Sequence, residues 1–195
     1  LSIGDNAQFV SNTAAGSGYG DGGAIYAFAV ASPSTSTLSI GDNAQFVNNV
    51  ATGSGYGYGG AIYDSAHGQD STSTLSIGDN AQFVNNTAAV SGYGGGGGIY
   101  DRAHGQDSTS TLSIGDNAQF VNNTAAVSGD GGAIYAFAVA PSSTSTLSIG
   151  DNAQFVNNTA AVSGYGDGGA IYASPNGERS TSTLSIGASA TFVNN

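Results

Sequence analysis

The phrase LSIGDNAQFVNN constrains this chain more than anything else in it. Its copies begin at Leu1, Leu38, Leu75, Leu112, Leu147 and Leu184, giving intervals of 37, 37, 37, 35 and 37 residues. Each complete copy continues into a Gly-rich stretch, then GGAIY or GGGIY, then a variable segment, then STST. Self-similarity at a fixed period marks a repeat architecture and overrides residue-by-residue propensity. The units are 1–37, 38–74, 75–111, 112–146, 147–183 and a partial 184–195. They predict one repeat body over 1–195, a window of a longer array.

Within a unit, Thr72-Ser73-Thr74-Leu75-Ser76-Ile77 alternates polar with apolar. That period-two pattern, rich in Thr and Ile, predicts a half-buried strand with Leu75 and Ile77 inward and Thr72, Thr74 and Ser76 outward. Gly78-Asp79-Asn80 is turn chemistry. Extended structure then resumes through Ala81-Gln82-Phe83-Val84-Asn85-Asn86, with Ala81 and Phe83 inward. The glycines from Gly95 lead into a third short strand at Ile99-Tyr100. No 3.6-residue apolar stripe persists, so helix is not expected.

Three short strands per unit, none able to fold alone, predict one turn of an all-β solenoid: a parallel β-helix with about one 37-residue repeat per turn. Identical turns stacked about 4.8 Å apart would pair each strand with its own copies. Leu1, Leu38, Leu75, Leu112, Leu147 and Leu184 would then form one column. Phe9, Phe46, Phe83, Phe120, Phe155 and Phe192 would form another, and Ile25, Ile62, Ile99, Ile134 and Ile171 a third. Asn12, Asn49, Asn86, Asn123, Asn158 and Asn195 never vary, whereas the position before them accepts Ser11. A stacked amide can donate to one neighbour and accept from the other, so this column predicts a buried Asn ladder.

Composition excludes partners more readily than it names them. Lys and Arg total 2 against 13 acidic residues, for a formal charge of -11. Such a chain cannot neutralise phosphates, which excludes nucleic acid and disfavours an anionic membrane surface. There is no Cys, hence no disulfide framework or thiolate site. No run approaches the ~20 apolar residues of a membrane helix, so membrane insertion of this segment is not expected. The 32 glycines would suit a disordered chain, but apolar residues held in fixed columns argue against disorder.

Phe83 to Asn86 followed by Gly97-Gly98-Ile99 is a pair of motifs that recurs in all five full units. It resembles the FxxN and GGA[I/L/V] repeats of chlamydial polymorphic outer-membrane proteins and related secreted right-handed parallel β-helix proteins. The resemblance covers essentially the whole chain. It implies a right-handed β-helix, extracellular or cell-surface location, and adhesion as the usual role. It supplies no catalytic residues.

Five sets of side chains are candidates for function. The Asp column (Asp5, Asp42, Asp79, Asp116 and Asp151) stacks carboxylates that Ca²⁺ would bridge, although Gly-Asp-Asn is first of all a corner. Two outward Thr files, Thr35 and Thr72 with their copies and Thr37 and Thr74 with theirs, make a flat grid like that of ice-binding solenoids. The variable segment carries Phe28, Val30, Phe137 and Val139 in two units, a patch for partners or fibre packing. In two others it carries His67 and His104, which with Asp64 and Asp101 offer a weak metal set. Stacked Gly-Tyr-Gly, as at Tyr56-Gly57-Tyr58, suits a sugar ring.

Catalysis is not expected, because the acidic columns repeat identically and no unique acid–base cluster stands out. No cofactor is expected beyond the possible Ca²⁺. The residues point to an extracellular structural or adhesive repeat protein, a fibre, stalk or surface layer. Ice binding and carbohydrate-binding adhesion are the alternatives. Self-association end to end or laterally is expected, with a host or neighbouring cell surface or polysaccharide as the outside partner.

Overall fold

A computed structural model describes residues 1–90, 92–126, 128–160 and 166–195. Every regular element among them is a strand, and every pairing is parallel. The strands form a β-solenoid in which each turn lies on the next in register. The long strand Thr72–Ile77 pairs with Thr35–Ile40 on one side and Thr109–Ile114 on the other. Residue partners are each other's copies, Leu75 with Leu38 and Leu112, Phe83 with Phe46 and Phe120.

A turn contains five strands rather than the three expected from the sequence. In one turn these are Thr72–Ile77, Gln82–Val84, Thr87–Val90, Tyr93–Gly95 and Ile99–Ala103. The extra breaks have local causes. Asn85 sits in the left-handed region at φ 56°, as do Asn48, Asn122 and Asn157, so the strand through Phe83 ends there and a new one starts at Thr87. Asn tolerates that conformation better than other residues with a side chain. Gly96, at φ 60°, makes the corresponding corner before Ile99. The last strand also runs further than expected, into the variable segment, so Phe28, Asp64, Arg102 and Phe137 lie on strands and not on a loop.

The core is built of columns. Leu38, Leu75, Leu112 and Leu147 are buried, as are Ile62, Ile99 and Ile134 and the four phenylalanines Phe46, Phe83, Phe120 and Phe155. Successive phenylalanine rings lie 4.7–4.9 Å apart and within 3–6° of parallel. The strand spacing imposes this stack, since residues in register are held at the inter-strand distance.

The shorter fourth unit shows how the stack absorbs a deletion. Ala88 pairs with Ala125, and Tyr93 with Ser128. Four residues separate Ala88 from Tyr93 and two separate Ala125 from Ser128. The difference falls between those two pairings, and the ladders from Tyr93 onward keep their register.

Candidate functional site: the ladders and an aromatic cleft

The Asn column is a continuous hydrogen-bonded file. Asn49 Nδ2 donates to Asn86 Oδ1 at 3.0 Å, Asn86 to Asn123 at 2.9 Å and Asn123 to Asn158 at 3.0 Å. The second amide hydrogen goes the other way: Asn86 Nδ2 donates to the Phe46 carbonyl at 2.9 Å, and Asn123 Nδ2 to that of Phe83 at 2.8 Å. Each Oδ1 also accepts a backbone N–H, as from Asn49 to Asn86 at 3.0 Å. Asn49, Asn86, Asn123 and Asn158 are buried with their amides fully used. Asn12 at one end and Asn195 at the other join the same file.

The geometry also explains why FxxN and GGA travel together. Gly59, the first glycine of its GGA, has φ 63°. A Cβ on the second, Gly60, would collide with the Gly97 carbonyl oxygen and lie 2.5 Å from the nitrogen of Thr87. Thr87 directly follows Asn86 of the next turn. The glycine of one turn thus clears space for the backbone that the neighbouring asparagine anchors. Sequence reasoning saw both motifs but not this contact, because it joins residues of different turns.

The Asp column occupies an exposed corner, with the following Asn at φ 57–60°. Asp42 Oδ1 accepts the Asp79 N–H at 2.9 Å, and Asp79 Oδ1 that of Asp116 at 2.8 Å. Asp5, Asp116 and Asp151 do the same for the next turn. One oxygen of each carboxylate is therefore already committed to the backbone. The Thr files are in register: Thr35, Thr72, Thr109, Thr144 and Thr181, and beside them Thr37, Thr74, Thr111, Thr146 and Thr183. They share the outer face of the longest strands.

The variable strand divides its residues between inside and outside. Asp64 and Asp101 are fully buried, with Ser73 and Ser110 donating to their Oδ1 atoms. Burial pushes the Asp64 carboxyl up to about 6. Burial, and then the Asp64 charge, push Asp101 well above the usual range. Alternation along the strand explains the placement, since Ile62, Asp64 and Ala66 share its inner face. His67 and His104 stack at 4.2 Å, and Phe28 on the outer face lies 5.5 Å from His67. The sheet thus parts the histidines from the aspartates that the sequence had grouped with them. Burial, Arg102 and His67 bring His104 down to about 4, which favours the neutral imidazole. Among the described residues no three His, Asp or Glu side chains converge as a metal set.

Phe28 is half-covered by Tyr26 and Tyr63, at 5.5 and 6.2 Å, and Phe137 packs on Tyr135 at 5.3 Å. Val30 is 60% exposed, while Val139 is half-buried. Between the first and third turns this outer face folds into a cleft of about 440 Å³. One wall carries Tyr19, Tyr56 and Tyr58, and the other Tyr26, Phe28 and Tyr63. Tyr58 stands 6.5 Å from Tyr63 and 4.5 Å from Tyr100. Asp21 lines the first-turn end; Arg102, His67 and His104 line the other. Burial raises Asp21 to about 6, and Tyr58 to about 12. The Nε of Arg102 is buried without a hydrogen-bond partner, and its Nη1 donates to the Tyr100 hydroxyl at 3.3 Å. Sequence reasoning singled out Tyr56 and Tyr58 but not this enclosure, which three successive turns build.

No helix among the described residues is long and apolar enough to cross a membrane. No curated protein and no solved structure matches the chain. The sequence profile of the Chlamydia polymorphic membrane protein repeat matches residues 117–136 and 152–174. Both stretches run from the QFVNN segment towards the following strand at Ile134 or Ile171, the part of the turn where the Asn file meets the glycine corner. The chain therefore carries repeats like those of the Chlamydia polymorphic membrane proteins, wound into a parallel β-solenoid.

Proposed function

We propose that this chain is a rigid surface module of an extracellular protein: a stalk or layer that holds an adhesive face away from the cell. The observation that supports it best is the in-register stacking of successive turns, with an arc that changes at only a few positions and a strand after GGAIY that varies. The arc provides stiffness, and variation on a fixed scaffold is suited to contact with partners. The likeness to a membrane-protein repeat supports a surface location. No catalytic role or cofactor is part of the proposal.

In-register parallel ladders pair readily with further strands of the same kind, so self-association is part of the reading. Electron microscopy of the purified chain tests it together with adherence of cells displaying the chain. Uniform threads support a filament, and discrete short rods with adherent cells support a tethered adhesin. Irregular aggregates with no adherence would refute both.

The Thr grid supports a second reading, ice binding, because ten Thr residues stand in two parallel files on one face. Thermal hysteresis in a cooled solution tests it. Its absence removes the ice-binding reading and leaves the surface role intact.

A further inference from the structure

We infer that the aromatic cleft over the first three turns is a binding site for a neutral oligosaccharide. This deepens the surface-display reading, on which it rests only for the source of the ligand. The walls come from two sheets that meet at the Gly59-Gly60 corner, so their rings face a common space. Tyr19 stacks on Tyr56 at 5.1 Å and Tyr26 on Tyr63 at 4.9 Å, so each wall is an aromatic column continuous across turns. Tyrosines that line a cleft offer a sugar both apolar ring contact and a hydroxyl, and the volume is that of an ordinary ligand pocket.

The charges at the two ends select the ligand. The chain's net charge of -11, with Asp21 inside the cleft, repels an anionic polymer. Arg102 at the opposite end repels a cation that the tyrosines would otherwise cage. A neutral ligand bearing many hydroxyls meets both ends, donating to Asp21 and accepting from Arg102.

The repeats themselves make the cleft local. At the Tyr58 position the other turns carry Asp21, Gly95 and Asp130, and at the Arg102 position they carry Phe28, Ser65, Phe137 and Ser174. The substitutions Tyr58→Asp and Arg102→Ser therefore introduce residues that the same scaffold already holds at those positions. Both remove cleft chemistry and leave the Leu, Ile and Phe columns untouched.

Titration calorimetry of the whole chain against neutral cello-, xylo-, galacto- and chito-oligosaccharides tests the site, with oligogalacturonate and tetramethylammonium as charged probes. Saturable binding of a neutral series is expected, weakened at least about tenfold by each substitution while the melting temperature holds. Failure of every neutral series to bind overturns the assignment. So does binding of only a charged probe, or equal binding by wild type and both variants. Adherent cells displaying a chain that binds no sugar would leave the surface reading standing and remove the site. Sugar binding without adherence would do the reverse.

Discussion

The arc from Thr72 to Asn86 and the strand from Ile99 to Ala103 solve the same stacking problem in opposite ways. In the arc, each residue meets its own copy above and below. The Asn file then satisfies its buried polar atoms from its own copies and the Phe carbonyls of the neighbouring turn. In the strand, columns change from turn to turn: Ala27, Asp64, Asp101, Ala136 and Ala173 on the inner side, Phe28, Ser65, Arg102, Phe137 and Ser174 on the outer. There the mismatches leave Asp64 Oδ2 and Arg102 Nε buried without hydrogen-bond partners. Identity between neighbours makes a polar interior cheap, and its absence leaves chemistry unspent.

The largest effect is expected from breaking the arc. Asn86→Ala removes the acceptor of the Asn49 amide and the donor to both Asn123 and Phe46. Several buried groups then lack partners, at a cost of roughly 3–5 kcal/mol. Phe83→Ala opens a hole in a stack of buried rings and is expected to cost about as much. Thermal unfolding followed by circular dichroism checks both. A change in melting temperature no larger than that of a surface substitution would contradict the difference between arc and strand.

The opposite sign is expected from the strand. Replacing Asp64 and Asp101 together by Ala supplies the residue that three other turns carry and is expected to stabilise the chain near pH 7.5. The pair's carboxyls are raised by burial, so the folded state keeps protons that the unfolded chain releases above about pH 4. Their contribution is therefore best below about pH 4 and worsens as pH rises through 6 and beyond, by on the order of 3 kcal/mol for Asp64. Urea unfolding across that range should show wild type losing stability with rising pH and the double variant losing less. Some slope will remain, because burial also raises Asp21 and Asp130.

The smallest effect concerns the Asp column. Because each Oδ1 already accepts a backbone N–H, treatment with EDTA is expected to leave the melting temperature unchanged. A clear drop would show that Ca²⁺ bridges Asp42, Asp79 and their copies, and that the arc is not self-sufficient.

How much of this was readable in the sequence follows the same division. Where neighbours are identical, one turn predicts the next, so the Leu, Phe and Asn columns and the inward faces of Leu75, Ile77 and Phe83 were legible. The left-handed Asn85 was not, since its amide suits strand and corner alike, and the strand count was too low as a result. Asp64 carried a usable signal: counting by twos from Ile62 puts it inside. Its charge argued for solvent, and Ser73, which donates to it, lies outside its own segment. The cleft had no linear signature, because Asp21, Tyr58 and Arg102 each come from a different turn.

Spin-label distances along the Thr file test the central claim of in-register stacking most directly. The chain has no Cys, so Thr37→Cys paired with Thr146→Cys or with Thr183→Cys places labels three or four turns apart and nowhere else. Pulsed electron resonance should give two narrow distributions, the second longer by one strand spacing, about 4.8 Å. Broad distributions, or a separation that does not grow with the added turn, would contradict the stack.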